Sequence, residues 1–127
     1  MGANNITADK FRSLNKMSKP RMSFHFTCMS VEGMIEEYQF HKERKWRFDY
    51  YHPETKQAYE YEGIFSQKSR HTDLNGFTND CDKYNEAQRL GIKVFRFTAK
   101  NIKSLINYLP KQKANEKQFT PRNITRN

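Results

Sequence analysis

Three acidic residues fall where two neighbouring strands would bring them together. Asp49 lies in Trp46-Arg-Phe-Asp49-Tyr-Tyr51, and Glu60 and Glu62 lie in Ala58-Tyr-Glu60-Tyr-Glu62-Gly63. Side chains alternate along a strand, so Glu60 and Glu62 share a face, and a hairpin turned through residues 52–56 can lay Asp49 beside them. Two unit charges about 4 Å apart repel by about 4 kcal/mol at an effective dielectric of roughly 20. Such a cluster needs a proton, a cation or a basic neighbour. A hard divalent cation takes oxygen ligands, and magnesium usually binds through one or two carboxylates, waters and substrate phosphate. Held there, it would activate a water and stabilise charge on a phosphoryl group. Downstream, Lys83 could hold the phosphate or orient the water. His71 could serve as general acid or base, because an imidazole titrates near neutrality. Arg70 could clamp a phosphate oxygen.

Each of these residues also has a plain reading. Glu60 and Glu62 could be the solvent face of an edge strand. His71 could be a solvated loop residue, and Lys83 could pair with Asp80 on a helix surface. Trp46, Phe48, Phe95 and Phe97 are expected in the core, whereas some of Tyr50, Tyr51, Tyr59 and Tyr61 could line a nucleic-acid groove. Cys28 and Cys81 lack a CxxC spacing and read as small apolar groups rather than a disulfide. A zinc set of Cys28, Cys81, His25 and His71 fits no zinc spacing.

The elements that must position the acidic residues follow from periodicity. Val31, Met34, Ile35 and Tyr38 predict a helix over residues 30–38, weakened by Gly33. Residues 44–51 and 57–65 predict the hairpin. Residues 66–77 form a long polar loop, a kind often functional in compact domains. A helix is predicted from Thr78 or Asn79 to Leu90, closed by Gly91 at C′. Ile92–Phe97 alternates as a strand, and Thr98 caps a last helix that buries Ile102, Leu105, Ile106 and Leu109 before Pro110. The order is α-β-β-α-β-α. A strand, helix, strand crossover after a hairpin makes the sheet mixed, in an α/β fold with helices packed on it.

The chain has 127 residues and a net charge of +9, and is 14% aromatic. That length suits one domain with an aromatic-rich core. Residues 1–23 carry five basic groups against one acidic, and so do residues 111–127, while the stretch between is nearly neutral. A domain over 24–110 flanked by a flexible basic arm and a disordered basic tail is the expectation. Such arms suit phosphate contact, or are solvated tails. A membrane span is not expected, since no apolar run nears the roughly 20 residues required. The N-terminus also lacks the apolar core of a signal peptide, so the expected location is the cytosol of a bacterium or a phage-infected host.

The spacing of Asp49, Glu60 and Glu62 resembles the PD-(D/E)xK nuclease superfamily. The later residues Gly63, His71, Asp80, Lys83-Tyr-Asn85, Gly91 and Val94-Phe-Arg96-Phe are similar to the branch of very short patch repair endonucleases and related small phage-type endonuclease domains. Glu37-Tyr-x-Phe-His41 and Lys45-Trp-Arg-Phe-Asp49 fit such domains too, and the resemblance covers about residues 30–109. It implies a restriction-endonuclease-like core. It also implies Asp49 and Glu60 as ligands of magnesium or manganese, with Glu62 at or beside the metal. Glu62 stands where lysine is more common, so Lys83 would supply the lysine from the helix. His71 matches a loop histidine, and Glu36 or Glu37 an additional acidic residue. Arg47, Lys68, Arg70 and Arg96 are the expected DNA-binding cations.

The expected activity is metal-dependent hydrolysis of DNA phosphodiesters, in repair, recombination or phage DNA processing. A homodimer would allow both strands to be cut. The alternative is a catalytically inactive nucleic-acid-binding or phage interaction protein on the same fold.

Overall fold

The computed structural model describes residues 7–63 and 73–111. Two helices, α1 (Ala8–Asn15) and α2 (Lys19–Met29), precede three antiparallel strands, β1 (Ile35–Gln39), β2 (Arg47–His52) and β3 (Gln57–Tyr61). Helix α3 (Leu74–Arg89) then crosses over to β4 (Lys93–Phe97), which runs parallel to β3, and a 3-10 helix follows at Ile102–Asn107. The sheet order is β1-β2-β3-β4. The fold is therefore α/β with a mixed four-stranded sheet, and the parallel pair arises from the expected crossover. No helix among the described residues is long and apolar enough to cross a membrane.

The helix predicted over 30–38 does not form. Its apolar spacing comes from two different structures. Val31 and Met34 enter the core from a turn in which Gly33 takes a φ of +88°, and Ile35–Gln39 pair with β2 as an edge strand. The ladder offered by β2 overrides a helical period that Gly33 already weakens. The helix that covers this face is α2. Ser18 caps it by accepting the Arg21 N–H at 3.3 Å, Pro20 sits in its first turn, and Phe24, His25 and Cys28 are buried along it. It begins at Lys19, inside the stretch read as a flexible arm.

Helix α3 starts earlier than predicted. Asp73 is its cap, accepting the Asn75 N–H at 3.1 Å. At the other end Gly91 takes the predicted C′ role, at φ +80°. Its N–H bonds the Gln88 carbonyl and the Ile92 N–H bonds the Ala87 carbonyl, the paired closure of a Schellman motif. The last element winds with three residues per turn, which keeps Leu105 buried but leaves Ile106 70% exposed, against the expected burial.

The core has two halves, one on each face of the sheet. Phe24 and Cys28 of α2, with Tyr50, Tyr59, Phe97 and Leu105, fill one. Ala87 of α3, with Phe48, Tyr51, Ala58 and Ile92, fills the other. Tyr50, Tyr51 and Tyr59 are thus core residues rather than groove residues, and Trp46 is only half-buried.

Strict alternation holds along β3 and β4 and fails at one place in β1 and β2. Tyr50 packs on the α2 face, yet Phe48 packs on the α3 face beside Tyr51. In β1, Glu36 meets Lys10 and His25 on the α2 side, while Tyr38 stacks on Tyr51 at 4.5 Å on the other. Glu36 pairs with Tyr50, and Tyr38 with Phe48. Both strands therefore turn over together, between these pairs, at Glu37 and Asp49. Glu37 carries the cost with a φ of +52°, a conformation worth about 1–3 kcal/mol of strain for a non-glycine residue.

Candidate active site

The reversal in β2 places Asp49 neither squarely on one face nor on the other. Its Oδ2 accepts the backbone N–H of Tyr61 at 2.8 Å. A ladder contact between β2 and β3 is thereby replaced by a side chain. From the α2 side Arg21 Nη1 approaches Oδ2 to 3.6 Å, and the charge of Lys83 reaches it from α3. Burial raises the carboxyl pKa above its ordinary value, and the Tyr61 N–H, Arg21 and Lys83 offset part of that rise.

Glu60 lies next in from the α3 face, only 5% exposed. Lys83 Nζ donates to its Oε2 at 2.7 Å, and the Tyr84 hydroxyl donates to its Oε1. Burial is again the main influence and raises the Glu60 pKa, opposed by Lys83 and Tyr84, while Asp49 raises it further. The two carboxylates therefore sense one another. Burial and the neighbouring carboxylate also drive the Tyr84 hydroxyl far upward, so it stays a proton donor. Lys83 lies 5.4 Å from the Phe48 ring centroid and 5.2 Å from that of Tyr84, so its ammonium is walled by aromatic rings.

Glu62 follows on the same face, as the two-residue spacing requires. Its backbone N–H bonds the Phe97 carbonyl at 2.7 Å, and its Oε2 accepts from Arg96 Nε at 3.0 Å. The Arg96 guanidinium stacks 4.3 Å from the Tyr84 ring centroid. The site thus runs as a row of carboxylates matched by a row of cations: Arg21 to Asp49, Lys83 to Glu60 and Arg96 to Glu62.

Asp49, Glu60, Glu62 and Lys83 meet here as the sequence suggested, and Arg96, expected to contact DNA, pairs with Glu62. Glu37 and Arg47 do not join them; they face each other at 3.8 Å, exposed at the edge of the sheet. Glu36 pairs instead with Lys10 at 2.5 Å. Lys68, Arg70 and His71 lie outside the described residues. Cys28 is a buried free thiol whose pKa burial pushes up to about 12, and Cys81 is exposed, so the two share no zinc site with His25. Among the described residues, no group of three or more His, Cys, Asp or Glu side chains is arranged to hold a metal ion.

Sequence reasoning missed Arg21 and Tyr84. Tyr84 adjoins Lys83, and its phenol is a natural donor to a carboxylate buried under the same helix turn. Arg21 had no local signal, because its role depends on α2 lying over β2.

The chain matches no protein-family model, no curated protein and no solved structure.

Proposed function

We propose that this protein is a magnesium- or manganese-dependent DNA endonuclease of the PD-(D/E)xK type, in the manner of the very short patch repair branch. The observation that carries the reading is Glu60: a buried carboxylate gripped by Lys83 and Tyr84, beside Asp49 at the one break in the sheet's alternation. Buried acidic groups with raised pKa values and a specific cationic partner are a mark of functional sites. The antiparallel β2–β3 pair, followed by a helical crossover to parallel β4, agrees with a restriction-endonuclease-like core.

The residues fit a hard divalent ion. Asp49 and Glu60 supply two oxygen donors with mutual repulsion to relieve, and magnesium asks for no more protein ligands than that. When bound, the ion would lower the pKa of a water and stabilise charge at phosphorus. The chain's own residues do the rest. Lys83 holds the Glu60 carboxylate ionised and carries a positive charge toward an approaching phosphate. Tyr84 fixes the second Glu60 oxygen. Arg96 holds Glu62, and Arg21 steadies Asp49 from the opposite helix.

One observation favours a second reading, a nucleic-acid-binding or phage interaction protein without catalysis. Every carboxylate of the row already has a cation, as a purely structural ion-pair network would. Plasmid nicking with magnesium or manganese separates the two. The nuclease reading expects nicking by the wild type and its loss in Asp49→Ala and Glu60→Ala. Nicking that survives in both variants contradicts the assignment, and a wild type that binds DNA without cutting it favours the second reading.

A further inference from the structure

A cleft of about 410 Å³ opens between α3 and the β1–β2 connection, lined among others by His41, Arg44, Trp46, Asp82, Asn85 and Glu86. The connection is built as a platform. Arg44 lies 4.0 Å above the Trp46 ring centroid. Its Nη2 donates to Asn79 Oδ1 at 2.9 Å, and the Trp46 indole N–H donates to the same oxygen at 3.3 Å. His41 braces the platform twice: Nδ1 accepts the backbone N–H groups of Glu43 and Arg44 at 3.1 and 3.0 Å, and its ring meets Trp46 edge-on at 5.3 Å. An exposed arginine is thus held flat on a half-buried indole, which is a stacking surface with little side-chain entropy left to lose.

The far wall carries more carboxylates and hydrogen-bonding groups than cations: Asp82, Asn85 and Glu86 stand there with Arg89. Asp82 and Asn85 are exposed on α3, and Glu86 is bridged by Arg89 at 2.5 Å with His41 at 3.8 Å. A bare phosphate would meet two carboxylates there, and an Arg89 already paired with one of them. A nucleobase would meet what it needs: a planar cation–indole surface for its face, a carboxylate to accept from its amino group and an amide that both donates and accepts. A row of rings through the core links the cleft to the candidate active site. Lys83 lies on Phe48, Phe48 stacks on Phe40 at 4.3 Å, and Phe40 stacks on Trp46 at 6.2 Å. Asp82 of the cleft and Lys83 of the candidate active site are also consecutive residues of α3, which sets the two side by side on that helix.

We propose that this cleft receives one unstacked nucleobase of the nucleic-acid substrate, stacked on the Arg44–Trp46 platform and read by Asp82 and Asn85. The proposal rests on the nucleic-acid reading of the neighbouring site, and its test does not depend on cleavage. Trp46 is the chain's single tryptophan, so its fluorescence reports on the platform alone. The titrants are a short single-stranded DNA, the same strand with abasic sugars throughout, and the four deoxynucleoside monophosphates, without divalent metal. Anisotropy of a labelled strand measures binding in parallel.

Saturable quenching by the DNA strand and none by the abasic strand is expected. Arg44→Ala and Asn85→Ala should each weaken strand binding, and loss of the stacking contact in Arg44→Ala corresponds to roughly 5- to 150-fold. Binding seen by anisotropy with Trp46 unchanged, or equal quenching by the abasic strand, overturns the proposal. Monophosphates that quench as tightly as the strand also overturn it, since the cleft would then be a free-nucleotide site. Metal-dependent nicking with an unresponsive Trp46 removes the base cleft and leaves the nuclease reading standing. Base-dependent quenching with nicking unaffected by Asp49→Ala and Glu60→Ala does the reverse.

Discussion

The two faces of the sheet carry polar clusters made from similar parts and tuned in opposite directions. On the α3 face, a carboxylate, a lysine and a tyrosine meet as Glu60, Lys83 and Tyr84. On the α2 face, Glu36, Lys10 and Tyr50 meet around His25, whose Nδ1 lies 2.6 Å from the Tyr50 hydroxyl. What differs is which group is buried. Glu60 is buried, so burial raises its pKa and the cluster needs a cation to keep it ionised. On the other face His25 is buried and Glu36 is about a quarter exposed, so burial lowers the imidazole pKa and the cluster centres on a neutral ring. A buried negative charge can exchange one cation for another, as the proposed metal role of the α3 face requires. A buried neutral imidazole has no such need, and the α2 cluster instead ties α1 and β1 to α2.

The largest expected effect breaks the α3 cluster. Lys83→Ala leaves the Glu60 charge buried without its cation and should cost about 3–5 kcal/mol in urea denaturation. Adding Glu60→Gln should restore much of that loss, because the double variant buries no unpaired charge. If the two changes are additive, the ion pair is not the organising contact of this face.

On the α2 face, Tyr50→Phe removes the partner of a buried imidazole nitrogen and should cost about 1–3 kcal/mol by the same measurement. The two faces also differ in the sign of their pH dependence. Asp49 and Glu60 have folded-state pKa values above the ordinary 3.8 and 4.5. Their contribution is complete below about pH 4 and is lost as pH rises through the folded values. Asp49→Asn can still accept the Tyr61 N–H, so it should raise the thermal midpoint at neutral pH and flatten that loss. His25 has a folded pKa below 6.5, so its contribution is complete above that value and is lost as pH falls through the folded one. His25→Gln should flatten the acid side alone. A midpoint that falls in Asp49→Asn at neutral pH would show that its pairing with Arg21 outweighs its burial.

The smallest effect concerns the rim of the α2 cluster. Lys10→Ala breaks a partly exposed pair with Glu36 and should cost about 0.2–1 kcal/mol. A larger loss would mean that α1 is held chiefly by this contact.

The α3 face was largely legible in the sequence, and the α2 face was not. Glu60, Glu62 and Arg96 follow from two-residue alternation on β3 and β4, and the Schellman end at Gly91 follows from one glycine. Those signals are local. Helix α2 was obscured by Pro20 and a run of mixed polar and aromatic residues, and the helical spacing of Val31, Met34, Ile35 and Tyr38 belonged to a turn and an edge strand. The reversal at Glu37 and Asp49 had no sequence mark, because both residues read as ordinary members of alternating strands. It is a product of two strands turning over together, and it is what brings Arg21 to Asp49.

On the proposed function, Asp49 and Glu60 share a divalent ion that takes over from the basic side chains now holding them. Diffraction from crystals soaked in manganese, read at the anomalous signal, tests it most directly. The expected result is an anomalous peak in contact with both carboxylates, with Lys83 displaced from Glu60 Oε2. No peak at that position, with the Lys83–Glu60 and Arg21–Asp49 pairs intact, would contradict it.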